Sequence, residues 1–339
     1  MQQRLVGSTG LSVSEIGFGV WTIATGWWGK YTEDEAITLL RAAFDAGITF
    51  FNTGNVYGAD GYGEKLVAKA LADVRDQVTI ATTFGYDVDA ERVKVAGMGG
   101  HTERPHDWSA DNVRRSLESS LENLGTDTID IWQLHNPRMD ALRDDKLWAL
   151  LDDLRSQGMV KSVGPSIGPK IGWKDEGLFA IAERDIDFIH HIFNMLEQEP
   201  GRDITDAAAD KDIAVFVRVP HSSGLLEGKF DADTKFDADD HRSHRKQAWL
   251  DDGLKKVDAL QFLVDDRDGA TIGQVALKWL LSDPAITSVQ PNVYSLEQIA
   301  EFAAAPDIEE FDADELGEID VLNRDNFGIE VTTAEHVNA

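Results

Sequence analysis

Segments of strand character alternate with segments of helical character along most of this 339-residue chain. Residues 213–217 are apolar throughout, which is typical of a parallel strand buried on both faces of its sheet. Thr32 and Glu35 form a capping-box pattern, and the apolar residues that follow them recur on one helical face. The same reasoning predicts strands at residues 16–18, 49–52, 78–82, 129–134, 160–164, 188–192, 213–217 and 288–291.

Eight strands with intervening helices predict an α/β fold, a (β/α)8 TIM barrel in a single domain over residues 1–339. An N-terminal β-hairpin at residues 4–6 and 11–13 precedes it, and extra C-terminal helices follow at residues 296–304 and 312–322. A doubly wound open sheet is the alternative, but it usually carries a Gly-x-Gly-x-x-Gly turn after an early strand, and this sequence has none there.

Two long polar segments interrupt the alternation. Residues 87–107 are rich in Gly and too long for a plain connection, so we predict a loop at the mouth of the barrel and a candidate lid. A second long loop is predicted from residue 220 to about residue 245.

Acidic residues outnumber basic residues by 61 to 32, and the net charge is −29. The excess is spread along the chain, for example over residues 231–240 and 309–318. Such an acidic coat keeps a protein hydrated in strong brine, where a Debye length of about 3 Å at molar salt screens the self-repulsion. We therefore expect a halophilic host, with an ordinary acidic protein as the alternative. We expect neither nucleic acid nor an anionic membrane as a partner.

The chain has no cysteine, which excludes thiolate nucleophiles, thiolate metal sites and disulfides. It contains no apolar run of about 18 residues or more, and residues 1–10 lack the apolar core of a signal peptide. These features predict a soluble, cytoplasmic protein.

Barrels of this class place their active sites at the C-terminal ends of the strands. The residues that follow the predicted strands are rich in His, Tyr, Arg and Asn, unlike the acidic surface. They are Val20, Trp21, Asn52, Tyr57, Thr83, His135, Ser166, His190, Arg218, His221 and Asn292. We therefore predict a catalytic or binding site at this end of the barrel.

Five segments resemble motifs of the aldo-keto reductase superfamily. Residues 50–58 (FFNTGNVYG) are similar to the family's FFDTAxxYG, and residues 63–64 stand at its Ser-Glu or Asn-Glu step into the next helix. Residues 129–135 (IDIWQLH) resemble IDLxQLH, residues 164–166 stand where the family has GVS, and residues 224–229 resemble GLLxGK. Because the segments occur in family order over nearly the whole chain, the chain is identified as a divergent member.

The resemblance implies a reductase of carbonyl compounds that takes hydride from NADPH. The family's catalytic tetrad is Tyr, Asp, Lys and His. By motif position, Tyr57 is the proton donor and His135 is the hydrogen-bond partner that orients the carbonyl. Asn52 stands at the position of the family's Asp, and Thr83 at that of its Lys, so half of the tetrad is replaced.

The two replacements are consistent with each other. Removing only one partner of a buried ion pair leaves an uncompensated charge at a cost of about 3–5 kcal/mol, whereas removing both leaves a neutral site. Burial raises the pKa of a tyrosine above its ordinary value of about 10. With no cation beside it, Tyr57 is expected to donate a proton but to accept one poorly, so we predict slow activity biased towards reduction of a small carbonyl or sugar-like substrate.

The implied cofactor site also departs from the family. The family's Ser-Asn pair after the fifth strand is Ser166-Ile167 here, the Gln after the sixth strand is His190, and Arg218 stands where a residue stacks on the nicotinamide. The remaining residues assigned to the cofactor are Val20, Trp21, Val219, Pro220, His221, Ser223, Asn292 and Gln298. No Lys or Arg lies between residues 290 and 301 to meet a 2′-phosphate. The cofactor is therefore NADP or NAD with the preference open, and a chain that binds neither is also conceivable.

Two other functions stay open at this point. A barrel that has lost half of its tetrad can be a catalytically silent protein that binds a ligand or a partner. Alternatively, either His190 or His191, which point to opposite faces of their strand, could join His135 and His221 at a metal. The family uses no metal, so we predict none, and the sequence leaves the oligomeric state open.

Overall fold

The computed structural model describes residues 1–94, 102–168 and 173–330. Its strands are β1 (Gln3–Leu5), β2 (Ser12–Ser14), β3 (Phe18–Gly19), β4 (Phe50–Asn52), β5 (Thr79–Phe84), β6 (Val93–Lys94), β7 (Thr102–Glu103), β8 (Ile129–His135), β9 (Val160–Ser166), β10 (Phe188–Ile192), β11 (Ala214–Arg218) and β12 (Ile286–Gln290). Strands β3, β4, β5 and β8 to β12 form one parallel sheet in chain order, and bridges from Ile16 to Val289 and from Gly19 to Asn292 link its two edges. The sheet is nearly closed into a (β/α)8 TIM barrel, which confirms the predicted fold.

Helices alternate with these strands around the barrel. They are α1 (Trp21–Ala24), α2 (Glu33–Asp45), α3 (Tyr62–Leu71), α4 (Ala110–Leu124), α5 (Met139–Arg143), α6 (Asp145–Ser156), α7 (Lys174–Glu183), α8 (Gly201–Ala209), α9 (Gln247–Ala259), α10 (Phe262–Asp265), α11 (Ile272–Ser282), α12 (Leu296–Ala303) and α13 (Ala313–Arg324). The predicted capping box of Thr32 and Glu35 starts α2, and Ser109 caps α4. Among the described residues, no helix combines the length and apolar character needed to cross a membrane.

Three helical segments differ from the sequence prediction. The helix predicted over residues 142–157 is two helices, because the Asp144 side chain accepts a hydrogen bond from the Lys146 backbone N–H and starts α6 separately. The helix predicted near residues 254–264 is likewise two helices, α9 and α10. Helix α8 was not predicted: its buried residues have helical spacing, but only one of them, Ile204, is large and apolar.

The interior of the barrel changes from apolar to polar at one level. Its lower part is an apolar cluster, and two valines near the N-terminal hairpin belong to it. The cluster consists of Val6, Val13, Phe50, Ala81, Ile131, Phe188, Ala214 and Phe216. Because side chains alternate across a strand, the next inward residues are two positions further along each strand. On β4, β5, β8, β10 and β11 those residues are Asn52, Thr83, Gln133, His190 and Arg218. The polar layer therefore lies at the C-terminal strand ends.

The first mouth loop packs against this layer through aromatic side chains. Tyr86 stacks on His106 with ring centroids 4.3 Å apart, and His106 stacks on Trp108 at 5.1 Å. The His106 Nε2 donates a hydrogen bond to the His135 carbonyl oxygen at 2.9 Å. The loop pairs β6 with β7, and residues 95–101 of the predicted lid lie outside the described residues.

Candidate active site

Three buried polar side chains form a hydrogen-bonded layer above the apolar interior. The Gln133 Nε2 donates to Asn52 Oδ1 at 2.6 Å, and the His190 Nδ1 donates to Gln133 Oε1 at 2.9 Å. The Asn52 side-chain oxygen therefore accepts its hydrogen bond from a neutral amide, and no cation is involved. The sequence analysis missed Gln133, although its place midway between Ile131 and His135 on β8 puts it on the inward face.

Tyr57 and His135 lie next to each other at the top of this layer. Their ring centroids are 5.9 Å apart and the rings meet edge to face at 80°. Burial raises the pKa of Tyr57, and burial together with nearby positive groups holds the pKa of His135 well below its ordinary value. At neutral pH the pair is therefore a phenol and a neutral imidazole.

Thr83 lies beside Tyr57 in a tightly packed place. A Cβ atom added to Gly54 would be only 2.5 Å from Thr83 Oγ1 and 3.2 Å from the Tyr57 ring. Glycine at position 54 therefore lets the segment after β4 approach β5 and bring the two side chains together. The Thr83 Oγ1 is buried and has no hydrogen-bond partner among the described residues.

A guanidinium group also reaches into the mouth. Arg218 extends from the end of β11, and its Nη2 donates to the Ile167 carbonyl oxygen at 2.8 Å and to Asn136 Oδ1 at 3.2 Å. Its charge lowers the pKa of Tyr57, against the larger effect of burial, and also lowers the pKa of His135. The prediction of a site with no nearby cation is therefore wrong, because a long side chain from another strand supplies one.

The segment after β11 has a strained backbone. Val219, Ser222 and Ser223 have positive φ angles of 57°, 46° and 57°. A β-branched residue in this region costs about 1–3 kcal/mol and persists only where the surroundings hold it, often at a ligand site. Turns that combine right- and left-handed residues also direct successive N–H groups into one concavity that suits anions.

Several comparisons relate this fold and site to known proteins. A model described as the Aldo/keto reductase family matches residues 15–324. The chain belongs to the aldo/keto reductase family. It is 29% identical over 297 residues to an aldo-keto reductase of Bacillus subtilis (strain 168), covering 84% of this chain and 82% of that protein. It is 26% identical over 323 residues to the NADH-specific methylglyoxal reductase of Escherichia coli (strain K12), covering 93% and 96%.

A solved structure agrees with the fold. The glycerol dehydrogenase of Gluconobacter oxydans matches with a TM-score of 0.79 at 21% identity, covering 98% of each chain. Like other aldo/keto reductases, this protein is an oxidoreductase of a family that uses NADPH or NADH and acts on small carbonyl substrates. The predicted family and cofactor class are therefore confirmed.

The mouth of this aldo/keto reductase fits a nicotinamide cofactor. The His190 Nε2 and the His135 Nδ1 are buried without a hydrogen-bond partner in the described part of the chain. Buried polar atoms in native structures normally have a partner, so these atoms point to a bound molecule that supplies one. In the strained segment at residues 219–224, the N–H groups of Ser222 and Gly224 donate to the carbonyl oxygens of Val219 and His221, and Pro220 has no N–H, so at most three N–H groups could meet a pyrophosphate.

The first strand end contacts the second mouth loop rather than lying open. Trp21 and Trp27 are edge to face with centroids 5.9 Å apart, and Trp27 is parallel to His241 at 6.0 Å. The backbone N–H of Val20, which is fully buried, donates to the Asn52 carbonyl oxygen at 2.9 Å. Val20 and Trp21 are thus at the mouth, where the resemblance assigns them to the cofactor.

Two side chains assigned to the far end of the cofactor are already engaged. The Gln298 amide accepts a hydrogen bond from the Tyr294 N–H at 3.0 Å and donates to Glu227 Oε2 at 3.1 Å, and it is fully buried. Asn292 Oδ1 accepts from the Thr22 hydroxyl at 3.3 Å. The assignment of the Gln298 side chain to the cofactor is therefore not supported, because both of its polar ends hold the protein together.

His221 is also turned away from the other site histidines. Its Nε2 donates to the Gly273 carbonyl oxygen at 3.0 Å, and its ring centroid is 4.7 Å from that of Phe302. The imidazole therefore joins the segment after β11 to α11 and α12 through its Nε2, while its Nδ1 is buried without a hydrogen-bond partner in the described part of the chain. The assignment of His221 to the cofactor stays a prediction. Among the described residues, no three His, Cys, Asp or Glu side chains lie close enough to hold a metal ion.

His191 occupies the outer face of β10, so only His190 points inward. The Thr205 hydroxyl donates to its Nε2 at 3.2 Å, and burial lowers the pKa of His191 to about 4. In the unfolded chain this histidine has its ordinary pKa of about 6.5, so it is protonated there at a higher pH than in the folded protein. The stability that neutral His191 contributes is therefore fully present above about pH 6.5 and is lost as the pH falls towards 4.

We expect His191→Gln to reduce this acid sensitivity by removing the titrating group. Between about pH 7 and pH 4.5, the free energy of unfolding should fall by roughly 2 kcal/mol less in the variant than in the native protein. Chemical denaturation at both pH values measures the difference. Equal losses in the two proteins would show that His191 is not buried in its neutral form.

Proposed function

We propose that this protein reduces a small carbonyl compound with NADH or NADPH, using Tyr57 as the proton donor and His135 as the group that binds the carbonyl oxygen. The bound nicotinamide supplies the hydride. The observation that carries the proposal is the adjacency of a buried phenol and a neutral imidazole at the mouth of an aldo/keto reductase barrel. The Tyr57 hydroxyl makes no hydrogen bond within the described residues, so it is available to a substrate.

The protonation states define the direction of the chemistry. A phenol whose pKa is raised by burial holds its proton at neutral pH and can transfer it to the oxygen as the carbonyl is reduced. A neutral imidazole with one N–H orients that oxygen by a hydrogen bond and does not compete as an acid. Oxidation of the alcohol needs the phenolate, which Arg218 only partly stabilises, so reduction is favoured.

Asn52 and Thr83 fill the positions of the family's charged pair. Asn52 belongs to the neutral layer with Gln133 and His190, and Thr83 packs against Gly54. Neither side chain has a charge to contribute to Tyr57. Their proposed role is to keep the site packed while Arg218 supplies the remaining positive field.

The cofactor lies, in this proposal, along Ser166, His190 and Arg218 and under the segment Val219, Pro220 and Ser223. In this proposal the adenosine end lies near a buried acid rather than a base, because Glu227 Oε1 has no hydrogen-bond partner among the described residues. Lys229 lies over the Tyr294 ring at 5.0 Å and moderates that charge. We therefore propose that NADH is preferred, because a 2′-phosphate next to Glu227 is repelled.

Fluorescence titration of the native protein with NADH and with NADPH tests the proposal. We expect NADH to bind at least about tenfold more tightly, which corresponds to about 1.4 kcal/mol. Glu227→Gln removes the charge with little change in shape, and it should bring the affinities for NADH and NADPH closer together. Tighter binding of NADPH would contradict the preference, and binding of neither nucleotide would favour the alternative of a catalytically silent binding protein.

The host of the protein and its cellular location are a separate proposal. The net charge of −29 supports a halophilic host. A cytoplasmic location and a single barrel domain over residues 1–339 are proposed with it. High salt screens the acidic surface but affects the buried groups of the mouth much less. Activity is therefore best assayed in concentrated salt.

A further inference from the structure

We propose that Arg218 is the anion-binding group of this active site and that the substrate is a 2-oxo acid, whose carboxylate lies next to the carbonyl that is reduced. This inference rests on the proposed function, because it names a substrate class for the same reductase site. It assigns to the guanidinium a contact with the substrate rather than with the cofactor alone.

Arg218 is a partly buried cation with no carboxylate partner in the described part of the chain. Its two hydrogen bonds go to neutral oxygens, of Ile167 and Asn136, and its Nε is buried without an acceptor. Arg267, a buried arginine, is instead paired at 2.6 and 2.8 Å with both oxygens of Glu315. An anionic ligand would remove the cost of this unpaired charge.

The guanidinium is held in place by neighbours that leave part of it free. Asn136, which accepts from Arg218, donates from its Nδ2 to the Tyr86 hydroxyl at 2.9 Å. A Cβ atom at Gly168 would be 1.6 Å from Arg218 Nη2, so only glycine leaves room for this path. Because Nη2 gives both of its hydrogens to Ile167 and Asn136, a carboxylate would bind at Nη1 through a single charge-assisted hydrogen bond.

The nearest acidic side chain does not neutralise Arg218. Glu103 raises the pKa of Arg218 from a distance, but its ion pair is with Arg138 at 3.5 Å. That pair belongs to the rim, where the Arg138 guanidinium also lies 3.6 Å from the Trp173 ring centroid. The positive charge of Arg218 is therefore available to an anionic ligand.

The position of Arg218 relative to the reacting groups limits the length of the substrate. Asn136, which binds the guanidinium, directly follows His135, and the guanidinium influences the ionisation of both Tyr57 and His135. We therefore expect a carboxylate bound to Arg218 to hold its neighbouring carbonyl near the phenol and the imidazole. A 2-oxo acid has these two groups on adjacent carbons.

The test compares pyruvate with methyl pyruvate, which has the same carbon skeleton but no charge. Arg218→Gln should lower kcat/KM for pyruvate about 10–100-fold more than for methyl pyruvate, because the charge-assisted contact with the carboxylate is lost in addition to any effect on Tyr57 or the cofactor that both substrates share. Arg114→Gln, on the outer face of α4, makes the same change of net charge and should leave both values unchanged. Equal losses for the two substrates, together with weaker NADH binding, would show that Arg218 serves the cofactor and would overturn the inference.

Binding of oxamate, a non-reducible analogue of pyruvate, provides a readout that does not need turnover. Calorimetry should show oxamate binding to the native protein saturated with NADH, and a loss of about tenfold or more in affinity in Arg218→Gln and in Gly168→Ala, which displaces the guanidinium. Unchanged affinity in both variants, or tighter binding of inorganic phosphate than of oxamate, would overturn the 2-oxo acid assignment. If the native protein binds no NADH and reduces neither substrate, the proposed function fails, whereas oxamate titration of the protein alone still decides the role of Arg218.

Discussion

Replacing Tyr57 with Phe is expected to lower kcat for carbonyl reduction by about 10²–10⁴-fold, because the variant has no proton to give to the developing alkoxide. Stability should change by less than about 0.5 kcal/mol, since the hydroxyl makes no hydrogen bond within the described residues and the ring packing is kept. NADH affinity should be unchanged. Initial rates with a neutral aldehyde, together with a denaturation curve, measure both effects.

Tyr62→Phe is the matched control for this substitution. It removes a phenol from α3, which lies outside the polar layer of the mouth, and should leave kcat unchanged. Full activity in Tyr57→Phe would assign proton donation to another group. A loss of activity accompanied by a loss of folded protein would instead mean that Tyr57 is structural.

Restoring the family's charged pair should give the second large effect. The double substitution Asn52→Asp with Thr83→Lys places an ammonium group beside Tyr57 and a carboxylate next to Gln133. The ammonium lowers the pKa of the phenol towards neutrality, so we expect kcat/KM for reduction to rise about 100-fold, and oxidation to rise more. The readout is the pair of rates at neutral pH.

The single variants are the controls for this experiment. Asn52→Asp alone buries an acid and Thr83→Lys alone adds a second cation near Arg218, so each should destabilise the fold by about 3–5 kcal/mol. The double variant should recover most of that loss. No gain in rate from a stable double variant would show that the native site is adapted to work without the pair.

Much of the architecture follows from local sequence rules. The apolar strand predicted at residues 213–217 and the capping box of Thr32 and Glu35 are set by neighbouring residues, and the structure contains both. The break at Asp144 was missed because one side-chain hydrogen bond decides between a continuous helix and two helices. Helix α8 was missed because only one large apolar residue, Ile204, lies on its buried face.

The candidate site was predictable only in part. Motif positions lead to Tyr57 and His135, whose contact the structure shows. The long side chain of Arg218 extends from one strand end to others, and this contact cannot be predicted from the spacing of residues along the chain. The hydrogen bond from His221 Nε2 to the Gly273 carbonyl oxygen likewise joins residues far apart in the chain, so spacing could not predict it.

The account depends on Tyr57 acting as a neutral acid beside a guanidinium and without an adjacent lysine. The most direct measurement is kcat at saturation in both directions for one carbonyl and its alcohol, from about pH 6 to about pH 10. We predict that reduction stays level through neutral pH, while oxidation is very slow there and rises with pH towards the raised pKa of Tyr57. Equal turnover in the two directions at pH 7 would contradict the account.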